Sequence, residues 1–330
     1  MKFTILFIMD FTEFNTGKDD EGRRLDKVIR IFIPSITLSN IYKSLRKGLI
    51  KVNNKAREPS YKICSGDIIK IANVLLQDKT EESVQAAQNS VLQIVFENEN
   101  LLIVNKPAGI NVQKAAKNEI SLTDLVLQYV NPQKKDASLS FKCGPLHRID
   151  KWTCGLVCFS KSTKGAVWFT NQMKNHTIKK QYYAIVQGKI RQEESWQDNI
   201  SIQTEKTADG KNLFHKVKVM PEQEQNEKLQ NCITKICPLK SGKLNNQPLT
   251  LVNCQIETGR KHQIRSQADF HGHSLWGDTA YNGISDKLNG GKYFLQAYKI
   301  EFPQNELGIP SQIEIEMTPA IKNLIEKLED

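Results

Sequence analysis

Apolar residues recur at helical spacing in two short stretches near the front of the chain. In "RRLDKVIRIFI" they fall at Leu25, Val28, Ile29 and Phe32, and Pro34 closes the run. "SNIYKSLRKG" repeats the pattern at Ile41, Tyr42 and Leu45, with Ser39 as the expected N-cap and Gly48 as the stop. Alternation then takes over. "LIKVNNKA" reads as a strand running into an Asn-Asn turn, and "GDIIKI" as a strand opened by Gly66 and Asp67. Two short helices packed on a small sheet are expected here. Ahead of them "MKFTILFIMDF" reads as a strand, because Asp10 breaks its apolar run and no small-residue cleavage site follows.

From Val91 onward strand patterns dominate: "VLQIVFEN", "LLIVNKP", "GLVCFSK", "QYYAIVQG", "LTLVNCQIETG" and "KYFLQAYKIEF". Helices are expected from Ser121, with Asp124 completing a capping box, from near Ser162, over "KHQIRSQADFHG" to Gly272, and from Thr318 with Pro319 in the first turn. Strands outnumber helices and do not alternate regularly with them. That predicts an α+β fold, a mixed and mainly antiparallel sheet with helices at its sides. Residues 77–90, "QDKTEESVQAAQNS", are polar without periodicity and read as a linker between a domain over 1–76 and a larger one over 91–330. A second polar region, about 191–230, reads as exposed loops or an insertion.

Charge changes the picture. The chain carries a formal +10 with a pI near 9.1, and Gly22 to Ala72 alone holds twelve Lys and Arg against three Asp and Glu. Such segregation points to a polyanionic partner captured by the front module. Lys43, Arg46 and Lys47 collect on the second helix opposite its apolar face, and Lys51 follows just past its end. No run approaches the length a membrane span needs. Seven cysteines, an odd number without repeated spacing, argue against a disulfide framework and for a reducing cytoplasm. The segment "RLDKVI…SNIYKSLRKGLIKVNNKAREPSYKICSGDIIKI" resembles the alpha-L RNA-binding motif, which implies contact with structured RNA through its phosphates. Candidate RNA contacts are Arg23, Arg24, Lys27, Ser39, Lys43, Arg46, Lys47 and Lys51.

Two stretches put polar groups where a core is expected. In "GPLHRIDKWTCGLVCFSKS" Asp150 stands at the mouth of an apolar strand, with Thr153 able to hydrogen-bond the turn. A carboxylate desolvated in this way needs a fixed cation if it is to act as a nucleophile at neutral pH. "ETGRKHQIRSQADFHGHSLWGD" offers Arg265, a fork of donors suited to a carboxylate. The sequence leaves open whether Arg265 meets Asp150 or belongs to an unrelated structural pair. Other chemistries fit worse. His271 and His273 have no Cys pair at zinc spacing beside them, Cys143 has no oxyanion-type motif around it, and no P-loop or dinucleotide fingerprint is present. No metal and no cofactor are expected.

Together these segments resemble the RluA family of pseudouridine synthases. "LLIVNKPAGINV", "GPLHRIDKWTCGLVCFSKS", "KKQYYAIVQG" and "TGRKHQIRSQADFHGHSLWGD" match its four motifs in order across about residues 91–330. The helix "SNIYKSLRKG" leans toward the RluC-like branch, which works on large-subunit ribosomal RNA. The resemblance implies a bent, mainly antiparallel sheet crossed by a cleft. It also implies Asp150 as the catalytic carboxylate, Arg265 as its partner, Tyr182 as the ring that stacks on uracil and handles the proton, and Arg148 as the side chain that helps displace the nucleotide. On the same resemblance Leu295 is the residue expected to pack on the base, and Thr153 and His262 complete the candidate substrate-binding set. Attack on the ribose and promotion of elimination both use the carboxylate and both remain open.

Three departures from the family pattern stand out: Cys154 for a usual Ser, Lys261 for a usual Thr, and Gln296 where His is common. None removes the proposed chemistry. One rival is a non-catalytic RNA-binding assembly factor, which has no need of Asp150, Tyr182 and Arg265 together. The other, a carboxylate-nucleophile hydrolase of glycosides or nucleosides, needs a second acidic residue, and none stands out in these motifs. The expected protein is a cofactor-free, monomeric enzyme acting on ribosomal RNA or a precursor particle, away from membranes.

Overall fold

The computed structural model describes residues 10–76, 92–116, 118–130, 138–206, 213–220, 229–285 and 287–329. The expected linker, 77–90, lies outside these residues, as does nearly all of the strand expected at the N-terminus. Two compact units are formed. One holds the described residues within Met1–Ser90, Asp124–Gly144 and Ser160–Ala166, and the other those within Val91–Thr123, Pro145–Phe159 and Val167–Asp330.

In the first unit β1 (Phe11–Asn15) is followed by helices α1 (Leu25–Phe32) and α2 (Leu38–Arg46), then by strands β2 (Ile50–Val52) and β3 (Ile68–Ala72). The predicted helical faces are the ones buried: Leu25, Val28, Ile29, Ile41 and Leu45 pack with Ile50, Val52, Ile69 and Ile71. The cap of α2 differs from expectation. Thr37, not Ser39, accepts the Asn40 amide at 3.3 Å. Ser39 already lies inside the helix, because Thr37 is the last residue with extended backbone. The Asn-Asn turn forms as read, with Asn53 and Asn54 both at positive φ (50° and 63°), a conformation Asn tolerates. The sheet order β1-β3-β2 puts β3 in the middle. Asp20 ties a distant piece of chain into this unit, accepting Ser138 Oγ at 2.7 Å and the Leu139 and Ser140 amides at 3.0 and 2.9 Å.

Continuing along the chain come β4 (Ile94–Glu97), β5 (Leu101–Lys106), α3 (Leu122–Val130), β6 (Gly144–Pro145), β7 (Cys154–Ser160), α4 (Thr163–Lys174) and β8 (Lys179–Gln187). After them are β9 (Glu194–Lys206), β10 (Leu213–Met220), β11 (Gln230–Leu244), β12 (Gln247–Ile256), α5 (Gln263–Phe270), β13 (Leu295–Glu301), β14 (Gln312–Glu314) and α6 (Pro319–Glu326). The second unit is built on one large sheet, in the order β10-β9-β11-β12-β8-β13-β7-β5-β4. Its pairs β10–β9, β9–β11, β11–β12, β12–β8, β8–β13 and β5–β4 are antiparallel, while β13 and β7 run parallel. The mixed, mainly antiparallel α+β expectation therefore stands.

The polar region 191–230 is a correction. Its described residues form long strands of a sheet-edge ribbon, not exposed loops. Of the described side chains there only Trp196, Ile200 and Val217 are buried apolar residues, set among polar neighbours of which Asp198 turns inward to Gln267 and His271, so the apolar signal is thin. At the parallel junction Gly155 has φ 112°, and a Cβ on it would collide with the Ala297 carbonyl. Only glycine lets β7 and β13 approach there. All seven cysteines are free thiols, and among the described residues no helix is long and apolar enough to cross a membrane.

Candidate active site

The second unit contains a cleft of about 800 Å³ lined by Asp150, Arg148, Thr153, Tyr182, His262, Arg265 and Leu295, among others. All seven residues assigned from sequence to catalysis or substrate binding thus reach one cavity. They arrive there by different routes, and a tight turn delivers the first. Thr153 N donates to Asp150 O at 3.2 Å just before β7 starts, which leaves the Asp150 side chain 24% exposed at the strand mouth.

That loop is braced from below. Lys106, wholly buried at the end of β5, donates to the carbonyls of Pro107, Ile110 and Lys151 at 2.9, 2.9 and 3.0 Å. The Gly109 amide also reaches the Lys151 carbonyl, at 2.8 Å. The "NKPAG" segment therefore holds the residue next to Asp150. Burial pulls the Lys106 ammonium down to about 8, against the opposing fields of Cys154 and Asp150.

Arg265 comes from the first turn of α5, which opens with His262 in the left-handed region (φ 51°). Its Nη1 donates to Asp150 Oδ2 at 3.2 Å. Its Nε and Nη2 donate to Asp278 Oδ2 and Oδ1 at 2.6 and 2.9 Å. The guanidinium lies between two rings, 4.4 Å from the Tyr293 centroid and 4.8 Å from that of Tyr281. Burial opposes its charge, but the hydrogen bonds to Asp278 and the fields of Tyr293, Asp278 and Asp150 prevail and push its pKa above the ordinary Arg value. Asp278 escaped the sequence reading, although it closes the quoted "HSLWGD". It is also the second carboxylate a hydrolase would need, but both its oxygens are engaged by Arg265 and it is 2% exposed, so it is no general acid.

His262 sits with Nε2 3.8 Å from Asp150 Oδ1. Burial lowers its pKa to about 4 despite the attraction of Asp150, so at neutral pH the ring is uncharged. Tyr281 Oη accepts the Val217 amide at 3.1 Å and lies 2.8 Å from His262 Nδ1. A Tyr281 proton donated to Nδ1 would leave the His262 proton on Nε2, the nitrogen 3.8 Å from Asp150 Oδ1. Tyr182, on β8 between Cys254 and Ala297, is 6% exposed. Burial, and then the charge of Asp150, raise its pKa, keeping the phenol protonated.

Leu295 begins β13 and is buried in the cleft wall. Thr153 is buried too, with Oγ1 3.4 Å from Tyr293 Oη. Arg148 is exposed at the rim and makes no hydrogen bond or ion pair with the described residues. His147 also lines the cleft, where its neighbours hold the ring. Its Nε2 accepts the Cys158 amide at 3.1 Å, its ring stacks on Phe169, and burial, helped by the Lys180 charge, drops its pKa to about 3. Of the three departures, Cys154 leaves the turn intact and Lys261 lies exposed on the cleft rim. Gln296 bonds Glu316 O and Thr318 N, which anchors the stretch leading into α6.

The basic residues of the first unit divide into two sets. Arg23 donates to Ser140 O and Thr163 Oγ1, Arg24 pairs with Asp26 at 2.7 Å, and the Lys51 ammonium lies over the Phe11 ring. Lys27, Ser39, Lys43, Arg46 and Lys47 are exposed.

The Asp150–Arg265–Asp278 chain, the buried Tyr182 phenol and the cleft beside them agree with the pseudouridine synthase class that the motifs resemble. Residues 100–269 match the RNA pseudouridylate synthase family, and the chain belongs to it. Residues 23–69 match the S4 domain, in agreement with the basic front module. The chain is 25% identical to ribosomal large subunit pseudouridine synthase C of Haemophilus influenzae over 95% of its length and 94% of that protein's. It is 26% identical to the protein of the same name from Escherichia coli, over 94% of each. Among solved structures, human RNA pseudouridylate synthase domain containing 4 superposes with a TM-score of 0.54 at 19% identity, covering 72% of this chain and 92% of that one.

Proposed function

We propose that this protein converts specific uridines of large-subunit ribosomal RNA to pseudouridine, as a cytoplasmic monomer with Asp150 as the reacting carboxylate. The observation that carries this reading is the 3.2 Å bond from Arg265 Nη1 to Asp150 Oδ2, in a cleft shared with Tyr182 and Leu295. Every group it requires comes from one chain. The names of the relatives favour ribosomal RNA as substrate, and the exposed Lys27, Lys43, Arg46 and Lys47 suit phosphate capture.

A cleft of this size takes one nucleotide and not a duplex, so the uridine leaves its stack. Arg148, unpaired at the rim, is suited to fill the vacated space and contact phosphate. Leu295 and Tyr182 clamp the base; stacking on an aromatic ring contributes about 1–3 kcal/mol. Arg265 orients Asp150 beside the ribose. The bond from C1′ to N1 breaks, one from C1′ to C5 forms, C5 loses a proton and N1 gains one. Atoms and electrons balance within the substrate, so the reaction itself requires no co-reactant. Tyr182, protonated, acts in proton handling as a relay and not as a phenolate.

The test is pseudouridine mapping on unmodified large-subunit ribosomal RNA incubated with the protein, beside Asp150→Asn. New pseudouridines with the wild type alone are expected. Activity in Asp150→Asn would remove the carboxylate from the reaction. Intact RNA binding without conversion by either protein would favour an assembly factor.

A further inference from the structure

Two buried lysines flank the Asp150 loop, and they differ. Lys106 is satisfied by three carbonyls. Lys180, 5% exposed, makes no hydrogen bond or ion pair with any described residue, yet it lines the cleft. It stands two residues before Tyr182 on β8, so both side chains leave the strand on the same face. Its ammonium lies against the backbone of Gly259, where a Cβ would come within 3.0 Å of Nζ. Close by are the neutral His147 and the Cys158 thiol, whose pKa burial raises. Neither offers a negative charge.

A buried ammonium without an anion is costly. Burial already pulls this one down to about 8, and only the weak field of Cys158 opposes it. The same cleft carries Arg148, Arg260 and Lys261, all exposed, and Asp150 is its lone carboxylate among the described residues. Cations at the rim with a single unpaired cation in the wall describe the approach of a polyanion that sends one phosphate inward.

We infer that Lys180 is a substrate-binding residue whose ammonium receives a phosphate oxygen flanking the extruded uridine. This rests on reading the cleft as a nucleotide site. It gives a role to the lysine of the "KKQYYAIVQG" segment, where the sequence assigned only the tyrosine. Gly259 is then the residue that leaves room for Nζ and the phosphate together.

The experiment uses the full-length protein and a short RNA carrying the mapped target uridine. Lys180→Met should bind this RNA about ten-fold more weakly, with a salt slope shallower by about 0.7, the effect of one single-strand phosphate contact. Its thermal midpoint should not fall, since an unpaired buried charge has been removed; a purely structural lysine would lower stability and leave the slope alone. Neutral methylphosphonate at one of the two phosphates flanking the uridine should weaken wild-type binding equally and add nothing in Lys180→Met. Unchanged affinity and slope in Lys180→Met, or fully additive losses with the modified RNAs, would overturn the inference. If Lys180→Met does not fold, the wild-type arm decides, because indifference to both methylphosphonates overturns it as well. Failure of the wild type to convert uridine would instead strike the reading beneath it.

Discussion

Asp278 grips Arg265 through two hydrogen bonds, Nε to Oδ2 at 2.6 Å and Nη2 to Oδ1 at 2.9 Å, and leaves Nη1 for Asp150. The orientation of the Asp150–Arg265 pair is therefore set by a third, buried residue outside the cleft lining. Asp278→Asn should lower turnover about 10²-fold, with RNA affinity within a few-fold of wild type. A shifted pH–rate profile would separate this positioning role from a loss of fold. Asp278→Ala should also cost about 3–5 kcal/mol of stability, because it strands a buried guanidinium. Wild-type turnover in both variants would show that Arg265 holds its place alone.

Tyr182 keeps its proton in the folded protein, so its hydroxyl can donate or relay. Tyr182→Phe retains the ring and should bind RNA normally. Single-turnover conversion should slow by about 10²-fold or more, the usual worth of a positioned proton-transfer group. Conversion at the wild-type rate would confine Tyr182 to stacking.

Lys43 and Arg46 are exposed on α2 and Lys47 at its C-cap, whereas Arg23 and Arg24 are held by partners within their own unit. Replacing the three exposed residues by Ala should flatten the salt dependence of RNA binding by about 2–3 in slope. The same substitutions at Arg23 and Arg24 should act mainly on stability. Equal slopes before and after the triple substitution would exclude this helix face from the RNA contact.

His147 and His262 stay neutral in the folded chain down to about pH 3 and 4, while the unfolded chain protonates near 6.5. Between about pH 6.5 and 4 the unfolded state binds more protons, so stability falls as pH falls through that window. Thermal midpoints should drop between pH 7 and pH 5. His147→Asn, which keeps an acceptor for the Cys158 amide, should show a smaller drop. An unchanged drop would mean that other groups drive it.

Gly155→Ala places a methyl against the Ala297 carbonyl at a backbone φ of 112°. Overpacking at this junction should cost about 3 kcal/mol, read as a lower denaturant midpoint. Activity should fall with it, since Asp150 sits just before β7. A wild-type midpoint would mean that β7 and β13 can separate without penalty.

Much of the architecture was legible because it is local. The period of Leu25, Val28, Ile29 and Phe32 fixed α1, the Asn53-Asn54 pair fixed its turn, and the strands of the large sheet were visible wherever apolar residues cluster. The ribbon of β9 and β10 was not, since an edge ribbon buries few side chains and its alternation is carried by Trp196, Ile200 and Val217 among polar neighbours. The motifs likewise named Asp150, Tyr182 and Arg265, but residue type and spacing left open whether Arg265, 115 positions further along the chain, meets Asp150; only the family resemblance implied the pairing.

Sequence by itself determined which side chains are candidates for the chemistry and which module carries charge, because residue type and short-range period are properties of neighbouring positions. Tertiary structure decided which of them meet. Asp278 joins Arg265, Lys106 braces the Asp150 loop, Thr37 caps α2 in place of Ser39, and Lys180 is left without a partner among the described residues. Each of these depends on strand order or backbone conformation, where free energy is set by burial and charge pairing between segments that the linear chain keeps apart.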